Sequence, residues 1–337
     1  MFQRLRENRS LLMGLAIWGI AFYHAPLQLA NPWIRMFHDL LNCGVDMFLF
    51  LSGLGACHSI RRRGAAGYLR QRARRLLPGL YPVLILWCAL MYAMGVMGAW
   101  TVFGSVTLLG WWFGQTIQLN WYFSAVWMFF LLGIPAYRVM GKSRHPVLVW
   151  GLMTLGAVGL GLLCPLDYLK TAVTRLPVFL TGMLLGCLEQ SGVSRQRLLR
   201  GTLYLMMLPG LGLVAAVYWG LGSRYGYSLG LWWYPYALVI PGAAVGLSDL
   251  GSLCRKYRPL RILLRPLEWC GESSAEILAI HMGVYKTIFV TTWLRTRTWL
   301  WVMLGCLVLG CLYHYVLVDR LWGTPNRPKG RVFTENS

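Results

Sequence analysis

The chain has 337 residues, of which 57% are hydrophobic and only 13% are charged, and it contains 17 tryptophans. Soluble domains keep about 25% of their residues charged, so this composition excludes an ordinary soluble protein and indicates a chain dissolved in lipid. The formal net charge of +21 does not indicate nucleic-acid binding, because the basic residues stand in short clusters between long apolar runs, as cytoplasmic loops of membrane proteins do.

Long apolar stretches recur from one end of the chain to the other. A helix needs about 20 mostly apolar residues to cross the hydrocarbon core, where the backbone finds no hydrogen-bond partners in the lipid. Ten stretches predict such helices, and the sequence therefore indicates an all-α integral membrane protein with a single domain over residues 1–337. The predicted spans are 11–30, 40–59, 77–98, 121–140, 147–164, 171–189, 201–221, 229–249, 273–293 and 299–318.

An eleventh apolar stretch, Thr101 to Leu119, decides the topology. If it spans the membrane, the basic residues Lys142 and Arg144 fall outside, against the positive-inside rule. If it does not, every basic loop and both termini fall on the cytoplasmic side. We therefore predict a re-entrant or interfacial segment at 101–119 on the outer face, where Trp100, Trp111 and Trp112 would sit at the lipid headgroups. An eleventh span with inverted downstream topology is the alternative.

The nine cysteines are scattered, with no CxxC pair and no His/Cys cluster at metal-ligand spacing. We expect no metal site.

Ionisable side chains inside spans are costly and so indicate function. His24 and Asp46 each lie about six residues from the outer end of their predicted spans, which places both about 9 Å below the outer surface. A carboxylate beside an imidazole fixes its tautomer and raises its basicity, as a general base acting on a hydroxyl requires. Mutual neutralisation between packed helices is the alternative interpretation.

The ninth predicted span carries a second polar group. Ser274, His281 and Tyr285 fall near one helical face, with His281 close to the midplane. A catalytic role and a structural one, in which His281 bonds to a neighbouring carbonyl, are both open.

Before the third span, YLRQRARRLLPGLYP places Arg72 and Arg75 about one turn apart. Such a pair can clamp phosphate oxygens. Topological anchoring, or attraction to anionic lipid, explains it equally.

The first of these patterns resemble motifs of the membrane-bound acyltransferase-3 family. LLMGLAIWGIAFYH resembles the family's first helix, which ends in an essential histidine, here His24. GVDMFLFLSGLG resembles the second-helix signature, with Asp46, Ser52 and Gly53.

The later patterns resemble the same family and follow in the expected order. YLRQRARRLLPGLYP is similar to its Arg-x-x-Arg stretch before a proline, here Pro78. NWYFSAVWMFFLL and GESSAEILAIH are similar to the opening of a later helix and to the closing motif, at Trp121, Tyr122, Ser274 and His281.

The resemblance implies ten spans and transfer of an acyl group from a cytoplasmic thioester to an extracytoplasmic or lipid-linked saccharide at the plasma membrane. The donor is expected to be an acyl-CoA, acetyl-CoA in particular, with its phosphates held by Arg72 and Arg75. His24 would be the general base, with Asp46 as its partner. Oxyanion donors would come from Ser52, Tyr122 or Ser274. No esterase-like domain is expected, since the chain ends soon after the tenth span.

One departure from the family concerns the first helix. Eleven positions before the histidine the family carries a basic residue, and this chain has Met13. Arg9 is one turn further out, and its side chain is expected to lean toward the helix N-terminus, away from the site. Donor binding is therefore predicted to be altered or weak, and loss of catalysis is the other possibility. The rival function is a non-enzymatic transporter or flippase of glycans or small solutes, since buried polar pairs also line transport paths.

Overall fold

The structure is a computed structural model and describes residues 1–25, 27, 29–192, 195–228, 230–291 and 296–322. Within these residues every regular element is helical. The helices are α1 (Phe2–Glu7), α2 (Arg9–Tyr23), α3 (Pro32–Leu40), α4 (Gly44–Ala93), α5 (Ala99–Val106), α6 (Trp121–Met140), α7 (Pro146–Leu163), α8 (Asp167–Val173), α9 (Leu176–Gln190), α10 (Gln196–Ser228), α11 (Trp233–Cys254), α12 (Arg258–Glu272), α13 (Ser274–Thr291), α14 (Thr296–Tyr313) and α15 (Asp319–Trp322). Short 3₁₀ turns at Leu41–Cys43 and Gly110–Phe113 and a π turn at His314–Val318 join them.

The helices confirm an all-α membrane protein. Seven helical segments in the described part of the chain are long and apolar enough to cross a bilayer, and one of them, Pro32–Ala93, contains more than one predicted span. Each of the ten predicted spans overlaps one of the helices. The basic tail that was predicted to be cytoplasmic lies mostly outside the described residues.

Helix α4 is a helical hairpin. Gly64 has φ +69° and ψ 178°, a backbone conformation that residues other than glycine rarely adopt. The Ser59 hydroxyl donates to Gln71 Oε1 at 2.7 Å, and Arg72 Nη2 donates to the Ser52 carbonyl at 3.3 Å, so the two arms run antiparallel. The first arm, residues 44–63, therefore contains most of the predicted span 40–59, and the second arm, residues 65–93, contains most of the predicted span 77–98.

The segment at 101–119 does not span, which confirms the prediction. Its only α-helix in the described chain, α5, has 8 residues and covers about 12 Å. Leu108 then takes φ +59° and a 3₁₀ turn follows. Trp100 is exposed as expected, but Trp111 is buried, because its ring packs against Trp121 and Tyr168 instead of facing headgroups.

Ion pairs gather several basic clusters at one end of the bundle. Arg4 and Arg200 both contact Asp249, at 2.7 and 2.8 Å, and His58 Nε2 lies 2.7 Å from Glu189. These contacts join the N-terminus, the turn of α4, the end of α9, the start of α10 and the end of α11. We call this the basic end and the opposite one the far end.

Helices α4 and α9 form the centre of the bundle and approach each other closely. A Cβ on Gly53 would lie 3.1 Å from the Met183 nitrogen and would also collide with the Phe179 carbonyl. Gly182 meets the backbone of α4 in the same way. Small residues at a membrane helix crossing allow such backbone contact, and it fixes Asp46 on α4 relative to the start of α9.

Candidate active site

His24 lies at the C-terminal end of α2, and its ring folds back along its own helix. The Nδ1 atom is 2.8 Å from the Ile20 carbonyl oxygen. Since a carbonyl can only accept, Nδ1 carries the proton and Nε2 keeps its lone pair. Within the described residues Nε2 has no hydrogen-bond partner. The backbone of α2 thus sets the tautomer that a general base needs.

Aromatic rings surround His24 at the far end. The ring centroid of His281 is 5.0 Å away, that of Tyr285 is 5.2 Å away and that of Tyr23 is 5.1 Å away. The sequence predicted two separate polar groups, and the structure brings His24 of the first together with His281 and Tyr285 of the second.

His281 is 1% exposed. Neither of its ring nitrogens has a hydrogen-bond partner in the described part of the chain. The structural interpretation, in which the ring bonds to a neighbouring carbonyl, is therefore not what the structure shows.

Asp46 is not paired with His24, which corrects the expectation from the sequence. The carboxylate is fully buried, and its Oδ2 accepts from Arg175 Nε at 3.2 Å. The levels were misjudged because α2 ends at Tyr23, so that His24 lies at the helix end and not six residues inside the span. The first arm of α4 also starts deeper than predicted, since a Cβ on Gly44 would touch Ile20 Cγ1 at 2.9 Å. Asp46 therefore lies closer to the basic end than His24 does.

Arg175, which sequence reasoning missed, holds the Asp46 carboxylate. It is 2% exposed, its Nη1 donates to the Thr171 carbonyl at 3.0 Å, and its guanidinium lies 4.4 Å from the Trp233 ring centroid and 5.1 Å from that of Trp121. A signal was present, because Arg175 is an ionisable residue inside the predicted sixth span.

Two arginines meet between α2 and the hairpin of α4, nearer the basic end. Arg9 Nη1 donates to the Leu51 carbonyl at 2.8 Å, and Arg72 Nη2 lies 3.3 Å from the next carbonyl, that of Ser52. A Cβ on Gly55 would lie 3.6 and 3.5 Å from these same two nitrogens, so the guanidinium groups converge on one point. The expectation that Arg9 points away is wrong, because its long side chain crosses to α4, where a carbonyl offers an acceptor.

Arg72 and Arg75 differ in their surroundings. The Arg72 guanidinium lies 5.2 Å from the ring centroids of both Tyr68 and Phe130, and its Nε is buried without a hydrogen-bond partner among the described residues. Arg75 is exposed and makes no hydrogen bond there. The charges of Arg72 and Arg75 both act on Arg9, so the three form one basic cluster, which we call the arginine cluster.

The other candidates lie apart from His24. Tyr122 is buried in the first turn of α6, within electrostatic range of Arg72 and Arg9. Ser274 begins α13, about 10 Å along the helix from His281. In the described part of the chain no hydrogen bond links Ser52, Tyr122 or Ser274 to His24.

Glu276 belongs to a separate buried contact. Its Oε1 is 3.0 Å from His314 Nδ1, and the carboxylate packs over Gly79, where a Cβ would lie 2.9 Å from Glu276 Cγ. This pair joins α13 to the π turn and to the second arm of α4. Within the residues described, no group of three or more His, Cys, Asp or Glu side chains could hold a metal ion.

The site therefore has two parts. Helix α2, with 15 residues and a length of about 22 Å, carries the His24 imidazole, with its Nε2 lone pair, at its far end and a member of the arginine cluster at the other. An anionic group bound at the cluster and a reacting group at His24 would be separated by that distance.

Comparison with known proteins gives one family. The family described as an acyltransferase domain, acyltransferase-3, matches residues 11–316, which is nearly the whole chain and includes every residue of the site except Arg9. No curated protein and no solved structure matches the chain.

Proposed function

Because the chain belongs to the acyltransferase-3 family of membrane acyltransferases, we propose that it moves an acetyl group from coenzyme A to a hydroxyl of an extracytoplasmic or lipid-linked saccharide. We also propose that it resides in the plasma membrane with both termini and the basic end in the cytoplasm. That orientation is supported by the positive-inside rule, since the basic clusters at residues 4–9, 61–75, 142–144, 195–200 and 255–265 would then face the cytoplasm.

The observation that carries the proposal is the fixed tautomer of His24. With its Nδ1 proton bound to the Ile20 carbonyl, Nε2 can take a proton from the acceptor hydroxyl. The acceptor oxygen then bonds to the thioester carbonyl carbon and the carbon–sulfur bond breaks. The sulfur of coenzyme A takes from His24 the proton that came from the hydroxyl, and coenzyme A leaves as the free thiol.

The donor would be held from the basic end. Its phosphates would bind the arginine cluster, where Arg9, Arg72 and Arg75 gather positive charge. Its long pantetheine arm would run beside α2 and bring the thioester to His24. Of the hydroxyls named from the sequence, Ser52 lies at the arginine cluster and Ser274 lies at the start of α13, so Tyr122 on α6 is our candidate to bind the oxyanion.

Asp46 acts on this reaction from a distance in our proposal. Its contact with Arg175 supports a positioning role, in which the pair fixes α4 against α9 and thereby holds the carbonyls of Leu51 and Ser52 beside the arginines.

The test is acetyl transfer by the purified protein in liposomes, with acetyl-CoA labelled in the acetyl group and lipid-linked glycans as acceptors. His24→Ala should lower the rate by about 10²- to 10⁴-fold, the usual contribution of a general base. Its melting temperature in detergent should match that of the wild-type protein. His145→Ala, which removes an exposed histidine before α7, is the control and should keep the wild-type rate.

Wild-type transfer by His24→Ala would remove His24 from the mechanism. Movement of glycan across the liposome membrane without any covalent label would favour the transporter instead.

A further inference from the structure

Four rings lie side by side at the far end of the bundle. His24 contacts His281 and Tyr285, and the Tyr285 ring centroid lies 5.5 Å from that of Trp299. The rings come from α2, α13 and the start of α14, so three helices meet here. We call these four side chains the ring cluster.

The ring cluster has hydrogen-bonding capacity that the described protein does not use. Both nitrogens of His281 and the indole N–H of Trp299 are buried without partners among the described residues, and Nε2 of His24 has none there either. Buried polar groups in folded proteins nearly always have a partner, which is a protein group, a water or a ligand. An imidazole left without one in an apolar bundle would be strongly destabilising.

The geometry indicates what this partner must be. A neutral imidazole offers one N–H donor and one lone pair, and His24 offers a lone pair because its proton is engaged. A hydroxyl group can donate its proton to His24 Nε2 and accept from an N–H of His281 at the same time. A carbonyl cannot donate to His24 Nε2, and a cation cannot accept from an N–H of His281.

We propose that the acceptor hydroxyl binds between the tilted rings of His24 and His281. In this proposal His281 is a catalytic residue that donates a hydrogen bond to the acceptor oxygen. This inference rests on the proposed function, in which His24 removes the hydroxyl proton. The hydrogen bond from His281 orients the oxygen so that its proton points at Nε2 and its lone pair points at the thioester carbonyl carbon.

The other two rings indicate the class of acceptor. Tyr285 and Trp299 present apolar faces, and Trp299 adds a donor at the edge of its ring. A saccharide combines apolar C–H faces with several hydroxyls, so it can lie against such rings while one hydroxyl enters the angle between the histidines. A simple apolar alcohol would leave the indole N–H without a partner.

Kinetics of three His281 variants test the assignment. His281→Phe keeps a ring of similar size and removes both nitrogens, and we expect it to lower the acceptor kcat/KM by about 10²- to 10³-fold, as the loss of a well-placed donor does. His281→Asn keeps a donor and should recover part of that loss. Affinity for coenzyme A, measured by calorimetry, should stay at the wild-type value in all variants, including His281→Ala.

Thermal stability separates catalysis from folding. If the unpartnered imidazole serves only substrate, then His281→Phe should melt at the same temperature as the wild-type protein or higher, because a buried polar group without a protein partner has been removed. A lower melting temperature together with a wild-type acceptor kcat/KM would show a structural role and overturn the proposal.

A high-resolution cryo-EM map of the wild-type protein without acceptor tests the site independently of activity. We expect an ordered water within about 3.2 Å of His24 Nε2 and of a His281 nitrogen, since water is the simplest hydroxyl. His281 nitrogens bonded to protein groups instead would overturn the inference. A protein that transfers and hydrolyses nothing would refute the proposed function, and the map would still decide whether a hydroxyl site exists.

Discussion

Two buried polar groups lie within the same apolar bundle, and they differ in how their polar atoms are matched. The charge of the Asp46 carboxylate is matched by the Arg175 guanidinium, which donates to Oδ2 and is covered by two tryptophan rings, although Oδ1 has no hydrogen-bond partner among the described residues. In the ring cluster, the nitrogens of His281 have no partner in the described chain. The difference teaches that burial alone does not mark a catalytic residue, because a group whose charge is matched inside the protein has little left to offer a substrate.

The largest expected effect comes from breaking the matched pair. Asp46→Ala leaves the Arg175 cation buried and uncompensated, and we expect a loss of about 3–5 kcal/mol of folding free energy. Thermal unfolding in detergent and the yield of monodisperse protein measure it. If Asp46 instead served only to assist His24, then Asp46→Ala would lower the rate of acetyl transfer and leave the melting temperature unchanged.

The double variant Asp46→Leu with Arg175→Met sharpens this result. Removing both charges should restore most of the stability, because apolar side chains of similar volume often replace a buried ion pair without loss. If the double variant is as unstable as the single one, then Asp46 stabilises the fold through some contact other than Arg175.

An intermediate effect is expected from moving α4 away from α9. Gly53→Ala places a Cβ against the backbone of α9, and overpacking of this kind costs about 1–3 kcal/mol. The variant should weaken the contact between Asp46 and Arg175 and leave the ring cluster intact, since His24 and His281 lie on other helices. Gly151→Ala is the control, because a Cβ at Gly151 has open space around it. Equal melting temperatures for the two variants would contradict the close approach.

The sequence predicted the helices well because the bilayer imposes its length and polarity on each span separately. Hydropathy located the helices, and the charge pattern showed that 101–119 does not cross. Neither hydropathy nor the charge pattern tells how far one helix is shifted along the membrane normal relative to its neighbour. The link between His24 and Asp46 failed for this reason, since it assumed that a short loop keeps both side chains level, whereas α3 and a 3₁₀ turn intervene.

The ring cluster and the place of Arg9 were hidden from the sequence for related reasons. Residues 24 and 281 are far apart in the chain, and only the packing of α13 beside α2 brings their rings together. Rules for side-chain direction describe an isolated helix, and they gave the wrong direction for Arg9 because a carbonyl on a neighbouring helix lay within reach. The Arg175 signal was visible, and a systematic search of the spans for charged residues would have found it.

The smallest of these effects concerns the arginine cluster. Its hydrogen-bonding groups are partly satisfied by the protein, less fully than the charges of the Asp46–Arg175 pair and more fully than the nitrogens of His281. Arg9 and Arg72 each use a nitrogen on a backbone carbonyl, and other donors stay available for an anion. We expect Arg9→Ala to weaken the binding of coenzyme A about tenfold, which corresponds to about 1.4 kcal/mol for one charge-assisted contact. Calorimetry with coenzyme A measures the change, and Arg74→Ala, which removes an exposed arginine from the same arm of α4, should keep the wild-type affinity. An unchanged affinity for Arg9→Ala would show that the Arg9 guanidinium only joins α2 to α4.

Adding Met13→Arg to the Arg9 variant tests whether the two positions are equivalent. Recovered affinity for coenzyme A would show that Arg9 takes the place of the basic residue that the family carries at position 13.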